Sequence, residues 1–416
     1  MTFPLSLTRL DVLHIVQSLA QSLRGADGRQ VEGSLFLEIS TTESFSSKLA
    51  GELALSALRF FALDSGSGDI RILVSRLRAS SRLEDWADVL FDRWDKDSIC
   101  FRSSGSTGQP VAHRYDMVAL ADEIDAAAPF FPDRRRVVSV MPVHHIFGMM
   151  YGPMLSKRLG VPLVHAPPLP LASFFALLRP GDVLVGFPFF WQTLLEMIAG
   201  RNAAPEVRFP ANLVGLTATS PCPPGVITGL LNLSGTGKSP SLVALKEIYG
   251  STETNGVGMR HDGGDWYELF SLWQSVPLAD GTRGILRVRS DGAACSAQPL
   301  PDVALWHDDR HFRPERRFDN AVQVGGVNVY PDKVAAVIRD HPLVRDCAVR
   351  LMRPEEGVRL KAFIVPALPL DEAANVFGKD FRDWMAARLD TACRPKLVRL
   401  GTELPVNAMG KARDWD

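Results

Sequence analysis

Three short segments, far apart in a chain of 416 residues, carry residue types suited to phosphate chemistry. They read SSGSTG at residues 103–108, IYGSTE at residues 248–253 and GKAR at residues 410–413. Glycine and hydroxyl-bearing residues can surround an oligophosphate, a tyrosine beside a carboxylate can take a nucleobase and a divalent cation, and a lysine adds positive charge. Each segment alone is a weak signal, but their order and spacing make the combination specific.

The first segment predicts a loop that binds oligophosphate through its backbone. Glycines allow the chain to turn with its N–H groups inward, and neighbouring hydroxyls add donors. The expected phosphate-binding residues are Ser103, Ser104, Gly105, Ser106, Thr107 and Gly108. The competing interpretation is an ordinary Ser/Gly surface turn. The stretch GTGKS at residues 235–239 is no rival, because Asn232 stands where a P-loop needs glycine.

The second segment predicts an adenine platform with a metal-side carboxylate. Tyr249 offers an aromatic face, Thr252 a hydroxyl and Glu253 a carboxylate of the kind that Mg2+ accepts. The alternative is a strand end that Ser, Thr and Glu merely cap.

Together these segments resemble the motifs of the adenylate-forming superfamily, which includes acyl-CoA synthetases, luciferases and peptide-synthetase adenylation domains. The resemblance covers about residues 101–413. It implies a large N-terminal α/β domain, with a shortened N-terminal region, and a small mobile α+β C-terminal domain. It also implies that Lys411, Glu253 and Thr252 are catalytic, with Tyr249 at the adenine. Without the other motifs, Lys411 would be an ordinary solvated charge near a chain end.

One departure from the family concerns the phosphate loop. The family usually has a lysine after the proline of this loop, and Val111 stands there. We expect His113 or Arg114 to replace that charge, and Arg114 is charged at every pH.

The segment before the expected hinge provides the ribose-binding candidates. RFD at Arg317–Asp319 resembles the family's interdomain motif, in which the aspartate, here Asp319, is the hinge. In the family an aspartate about fifteen residues earlier binds the ribose with help from the arginine, which corresponds to Asp302 and Arg317. Asp308 and Asp309 are rivals to Asp302, because the residues before Asp302 depart from the family pattern.

A further segment that resembles the family is expected to bind the acid substrate. MPVHHIFGM at residues 141–149 resembles the family's P-x-x-H-x-x-G segment, which places His145 beside the acyl group; the alternative is an ordinary core histidine. No aspartate in this segment could pair an α-ammonium, so a plain carboxylic acid is favoured over an amino acid. The other expected substrate-binding residues are Phe187, Trp191, Ser220 and Gly250.

The resemblance also implies the reaction. ATP, Mg2+ and coenzyme A are the expected cofactors, and Gly326 in VQVGGVNVYP is expected to face the CoA path. Compact length and an aromatic-rich pocket resemble the small 4-coumarate–CoA ligases of photoactive yellow protein maturation. The expected function is activation of a hydroxycinnamate- or benzoate-like acid to acyl-AMP, followed by transfer to CoA. The alternatives are transfer to a carrier-protein phosphopantetheine and a non-catalytic nucleotide-binding paralogue.

The elements that must position these residues follow from apolar runs. Strand-like runs at residues 137–141, 161–165, 183–187 and 213–217 alternate with helical stretches, which predicts an α/β sheet with ligand contacts in the turns after its strands. Helices and short strands are expected before residue 98, including a charged helix around residues 83–94. The expected domains are an adenylation core at residues 1–319 and a lid at residues 320–416.

The amino-acid composition limits the classes of partner molecule that we expect. The formal net charge is −1, so nothing favours nucleic acid over small molecules. Five scattered cysteines without CxxC spacing and an N-terminus unlike a signal peptide predict a cytoplasmic protein without membrane association.

Overall fold

The computed structural model describes residues 6–26, 39–64, 70–103, 111–168, 170, 172–200, 208–233, 242–317, 321–325, 327–353, 355–405 and 415. The chain divides into two units, and the division along the chain falls between Pro314 and Glu315.

Helices make up the first part of the chain. The described residues before Ser98 form α1 (Arg9–Ala26), α2 (Ser47–Phe60), α3 (Ile70–Arg78) and α4 (Leu83–Arg93). The predicted charged helix is confirmed as α4. The short strands expected in this part are absent from its described residues, which hold only an isolated bridge between Thr41 and Arg82.

A hairpin frames the expected phosphate loop. Strands β1 (Ser98–Ser103) and β2 (Val111–Asp116) are antiparallel, and Ser103 pairs with Val111. Asp116 then accepts a hydrogen bond from the Ala119 N–H at 2.7 Å and so caps helix α5 (Met117–Ala127).

A large α/β sheet follows. Its elements and their neighbours are β3 (Arg136–Ser139), α6 (Ile146–Met149), a π-helical turn (Met150–Met154), α7 (Leu155–Leu159), β4 (Leu163–His165), α8 (Ala172–Leu177), β5 (Asp182–Gly186), α9 (Pro188–Ala199), β6 (Leu213–Thr217), α10 (Pro224–Asn232), β7 (Leu242–Ser251), β8 (Asn255–His261), β9 (Tyr267–Leu269), β10 (Trp273–Pro277), β11 (Arg283–Arg287), β12 (Asp302–Trp306) and β13 (His311–Arg317).

The strand order in this sheet is β12-β13-β9-β8-β7-β6-β5-β3-β4. Strands β4, β3, β5, β6 and β7 run parallel, and β8 and β9 continue antiparallel. Strands β10 and β11 form a separate antiparallel pair. The four strands predicted from apolar runs are confirmed as β3, β4, β5 and β6.

Both faces of the parallel strands are buried, which explains their continuous apolar runs. Val137 and Val185 belong to a core under α1, α2 and α5, whereas Val138 and Leu184 belong to a second core under α8, α9 and α10. The sheet thus carries helices on both faces. No helix among the described residues is both long and apolar enough to cross a membrane.

The second unit has its own core. Its elements are β14 (Val322–Val324), β15 (Val327–Val329), α11 (Pro331–Arg339), β16 (Val344–Leu351), β17 (Leu360–Pro366), α12 (Leu370–Val376), α13 (Lys379–Ala386) and β18 (Leu397–Leu400). Ile338 of α11 and Phe381 of α13 pack on Ile364 of the central strand β17. This is the small α+β domain that the sequence predicts.

Candidate active site

The carboxyl ends of the parallel strands bring several predicted residues to one edge of the sheet. Ser139 of β3 is level with Val185 of β5, and Gly186 of β5 is level with Thr217 of β6. The segments that follow the ends of β3, β5, β6 and β7 carry His145, Phe187, Ser220, Thr252 and Glu253. Because ligands of open α/β sheets bind at this edge, the topology joins the expected acid pocket to the expected ATP segment.

The hairpin formed by β7 and β8 presents Thr252 and Glu253 in its turn. The Ser251 hydroxyl accepts hydrogen bonds from the backbone N–H groups of Glu253 and Thr254, each at 3.2 Å. Gly250 must be glycine, because a Cβ there would lie 2.0 Å from the Asn255 carbonyl oxygen. The turn is therefore fixed by its own backbone and leaves the Glu253 side chain 56% exposed.

The strand β2 lies against this turn. The Tyr115 hydroxyl donates a hydrogen bond to the Thr252 carbonyl oxygen at 2.7 Å. His113 Nε2 lies 3.6 Å from Glu253 Oε1. An imidazole and a carboxylate thus stand together beside the strand that leaves the expected phosphate loop.

The pleat of β2 decides between the two replacements for the family's lysine. Alternate residues face the same side of a strand, so Val111 and His113 share a face. Arg114 faces the other way, where its Nε donates to the Ser98 hydroxyl at 2.8 Å. The prediction that Arg114 replaces the lysine is therefore revised in favour of His113, which faces the same side of β2 as Val111.

Aromatic rings support Tyr249. Its partly buried ring lies 5.6 Å from Tyr267 and 5.2 Å from Phe312, measured between centroids. These neighbours pack against the ring, and Tyr249 keeps some accessible surface.

A buried carboxylate ties the pocket wall to β7. Glu247 accepts hydrogen bonds from Arg260 Nη2, with both oxygens at 3.0 Å, and from the Tyr267 hydroxyl. Its Oε2 also accepts from the Cys222 N–H at 3.4 Å. Burial raises the pKa of Tyr267, so this phenol stays protonated and donates. The network fixes the segment after β6, where Ser220 lies partly exposed.

His145 is the residue before the first turn of α6 and is exposed to solvent. Desolvation of its ring by the surrounding protein atoms lowers the pKa of His145. The ring lies 4.3 Å from that of His144, whose Nδ1 is 2.7 Å from the Ser18 hydroxyl. A Cβ at Gly148 would lie 2.1 Å from the Pro142 carbonyl oxygen, so the proline and glycine of this segment set its sharp path.

Two residues that were expected to bind substrate, Phe187 and Trp191, lie near the start of helix α9 in different surroundings. Phe187, just before the helix, is partly buried at the edge of the sheet. Trp191 has no accessible surface and packs against Gly215, where a Cβ would lie 2.7 Å from its ring. The expectation for Trp191 is therefore wrong: it is a core residue under the sheet.

The three ribose candidates have different surroundings. Asp302 is partly buried at the start of β12. Asp308 accepts from the backbone N–H groups of Arg310 and His311, each at 2.7 Å, and these contacts with the His311 ring lower its pKa to about 2. Asp309 pairs with Arg283 at 3.2 Å. Both rivals thus hold contacts in and beside the turn between β12 and β13, and Asp302 stays the candidate that its spacing from Arg317 favours.

Some expected residues lie outside the described part of the chain. They are Ser104, Gly105, Ser106, Thr107, Gly108, Asp319, Gly326 and Lys411. Ser103 is described and ends β1, and Arg317 ends β13.

Magnesium fits the donors at the β7–β8 turn. The described residues contain no group of three His, Cys, Asp or Glu side chains that could hold a metal without a ligand. Glu253 is an exposed carboxylate, and Mg2+ at nucleotide sites is usually held by one or two carboxylates with phosphate oxygens and water. The residues therefore suit a cation that arrives with ATP.

Sequence reasoning missed two supporting residues, Tyr115 and Glu123, and did not foresee that His113 lies beside Glu253. Tyr115 acts through a contact that spans more than a hundred positions, and no local motif signals it. Glu123 lies on the buried face of α5 with Leu120 and Ile124. An acidic residue in an apolar helical stripe was the signal that could have identified it.

Comparison with known proteins agrees with this geometry. A family model described as AMP-binding enzyme matches residues 75–278, and another, AMP-binding enzyme C-terminal domain, matches residues 333–411. A 4-coumarate–CoA ligase of Halorhodospira halophila is 35% identical over 360 residues, which are 86% of this chain and 85% of that protein. A 4-coumarate–CoA ligase of Rhodobacter capsulatus is 32% identical over 344 residues, 80% of each protein.

A solved structure supports the fold. Amide bond synthetase McbA from Marinactinospora thermotolerans matches with a TM-score of 0.59 at 16% identity, over 96% of this chain and 92% of that chain. Such low identity shows the fold alone, whereas the sequence matches show the family. The chain belongs to the AMP-binding enzymes of the adenylate-forming superfamily and is of the acyl- and aryl-CoA ligase type.

Proposed function

We propose that this enzyme activates an aromatic carboxylic acid with ATP and transfers the acyl group to the thiol of CoA. The observation that carries the proposal is the shared sheet edge, where the segment of His145 and the turn of Thr252 and Glu253 follow parallel strands. An acid and a nucleotide bound there would meet without a large rearrangement of the first unit.

In the first step the substrate carboxylate attacks the α-phosphorus of ATP. A P–O bond forms to the acid, the bond to the bridging oxygen breaks, and pyrophosphate leaves with the electron pair. Tyr249 stacks on the adenine, Asp302 with Arg317 holds the ribose, and Thr252 contacts phosphate. Mg2+ beside Glu253 would neutralise phosphate charge. Lys411 would bridge the carboxylate and the α-phosphate.

In the second step the CoA thiolate attacks the acyl carbon and AMP leaves. The backbone at Gly326 would line the path of the thiol. Asp319 would be the hinge about which the lid at residues 320–416 turns between the two steps.

The pocket favours a flat, uncharged acyl group. Phe187 offers an aromatic wall, and the lowered pKa of His145 keeps its ring neutral near pH 7. Residues 141–149 contain no carboxylate to pair an α-ammonium. Hydroxycinnamates fit best, in agreement with the names of the curated relatives, and benzoates come next.

A pyrophosphate-exchange screen over hydroxycinnamates, benzoates, fatty acids and α-amino acids tests this proposal. We expect the highest exchange with a hydroxycinnamate and background exchange with amino acids. Glu253→Gln is the control that ties exchange to this site, and its neutral amide should cost roughly a hundredfold. Exchange with an amino acid at the rate of the best aryl acid would overturn the substrate class.

The acceptor is tested separately. Acyl-AMP formed by the enzyme is offered to CoA and to a phosphopantetheinyl carrier protein, and we expect thioester on CoA. Preferential loading of the carrier would replace the proposed acceptor. ATP binding without exchange for any acid would indicate a non-catalytic paralogue.

A further inference from the structure

Helix α5 carries an ionisable residue on its buried face. Glu123 has no accessible surface and lies between the apolar neighbours Leu120 and Ile124. A buried carboxyl group costs free energy unless it is hydrogen-bonded, so a leucine or glutamine here would stabilise the helix more simply. A carboxyl group at this position is therefore expected to hold other parts of the structure through hydrogen bonds.

Two backbone segments meet at this carboxyl group. Glu123 Oε1 accepts a hydrogen bond from the Gly256 N–H at 3.1 Å and from the Tyr151 hydroxyl at 3.5 Å. The Gly256 carbonyl oxygen accepts from Trp273 Nε1 at 2.9 Å. Gly256 is thus held through both its N–H and its carbonyl group. A Cβ at this position would lie 2.6 Å from Glu123 Oε1, so only glycine lets the carboxyl group approach.

The two segments belong to different halves of the site. Gly256 follows the β7–β8 turn that presents Thr252 and Glu253. Tyr151 lies in the π-helical turn that directly follows the segment of His145. Such turns often occur at functional sites, because they redirect side chains within a helix. Glu123 is therefore bonded to both the nucleotide side and the acid side.

We propose that Glu123 is a positioning residue that keeps the acid-binding segment and the ATP-binding hairpin in register. The inference rests on the proposed function, because it assigns Glu123 a part in aligning the two substrates. Glu123 does not touch either substrate in this assignment. It acts through the hydrogen bonds that it accepts from the Gly256 N–H and the Tyr151 hydroxyl.

The charge state of Glu123 gives the register a pH dependence. Burial raises the pKa of Glu123 to about 8, and the charge of Arg287 on β11 opposes this rise. The other groups that face it are Tyr151 and, from β2, Tyr115. The hydrogen bonds from Gly256 and Tyr151 also favour the ionised form, but within the described residues Glu123 Oε2 has no hydrogen-bond partner, so ionisation above pH 8 places charge on an oxygen that gains a partner only if the carboxylate moves. We expect the alignment to weaken there.

Kinetics of two variants and a matched control test the proposal. Glu123→Ala removes the acceptor, and Glu123→Gln replaces the neutral acid by a neutral isostere. Asp125→Asn changes a carboxylate on the same helix that pairs only with Arg158 among its described contacts. At pH 7, Glu123→Ala should raise KM for both ATP and acid about tenfold, whereas Glu123→Gln and Asp125→Asn should stay within about twofold.

The pH dependence of exchange activity distinguishes a positioning role of Glu123 from a purely structural role. Wild type and Asp125→Asn should lose exchange activity as pH rises through about 8, and Glu123→Gln should lack this step. A residue that only supports the core would change the amount of folded enzyme and leave both KM values unaltered. Unaltered KM values in folded Glu123→Ala would therefore overturn the inference.

Hydrogen exchange keeps the test independent of the reaction. If wild type shows no pyrophosphate exchange, the proposed function fails, but the amides from Thr252 to Gly256 still report on the hairpin. Their exchange should be faster in Glu123→Ala than in Asp125→Asn. Equal rates would overturn the role of Glu123 even if the enzyme is active.

Discussion

His113 and Arg114 are neighbours in sequence but face opposite sides of β2. His113 stands beside Glu253, whereas Arg114 donates to Ser98. Charge type alone favours the arginine, because a guanidinium is always ionised. The direction of the side chain matters more than its charge here. A side chain on the opposite face of β2 from Glu253 cannot reach a phosphate bound beside Glu253.

The residue-scale prediction compares these two positions. His113→Ala should raise KM for ATP about fivefold, as expected for the loss of one hydrogen bond to a charged group. Arg114→Ala is the matched control and should leave KM for ATP within about twofold. The KM values come from exchange assays at saturating acid. A larger effect of Arg114→Ala would restore the arginine as the phosphate-side cation.

At the scale of elements, helix α9 shows why local patterns mislead about sites. The run GFPFFWQT places Phe190 and Trp191 on the face that covers the sheet, and both are fully buried. Aromatic composition predicted a pocket wall, but helical direction decides which rings face a ligand. Phe187, before the first turn, lies just after the carboxyl end of β5.

The element-scale prediction compares Phe187, just before this helix, with Trp191 within it. Phe187→Ala should raise KM for the aryl acid about tenfold or less and leave KM for ATP unchanged, because it removes one apolar wall. Trp191→Ala should lower the free energy of unfolding by about 3–5 kcal/mol, because it leaves a large cavity beside Gly215. Denaturant unfolding and acid KM are measured for both. A change in acid selectivity in Trp191→Phe, at normal stability, would contradict the core assignment.

The parallel strands were predictable from sequence because their signals are local. The apolar run at residues 183–187, which follows Pro180 and Gly181, and Pro188 at the start of α9 predict β5 and its helix directly. The hydrogen bond from Gly256 to Glu123 joins residues separated by 133 positions. Such pairings depend on how the helix packs on the sheet, so a motif cannot predict them. The hinge and the lysine come from the family resemblance alone.

At the scale of the whole molecule, the chain divides after Pro314 into two units with separate cores. The cores on the two faces of the large sheet belong to the first unit, and the core around Ile364 belongs to the second. A unit with its own core can move as one body. Lys411 and Gly326 both belong to the second unit, and we propose that one rotation of this unit exchanges them at the acyl group.

The whole-molecule prediction is that Lys411 serves only the first step. Its ammonium would offset the repulsion between the carboxylate and the α-phosphate, so Lys411→Ala should slow acyl-AMP formation by roughly a hundredfold or more. The same variant should convert supplied acyl-AMP and CoA to thioester at nearly the wild-type rate, because the lysine would have left the site by then. Gly326→Trp should show the reverse pattern by blocking the thiol path. Lys396→Ala, an exposed lysine of the same unit, is the matched control and should change neither step. Equal impairment of both steps by Lys411→Ala would contradict the rotation and make Lys411 a residue of the common site.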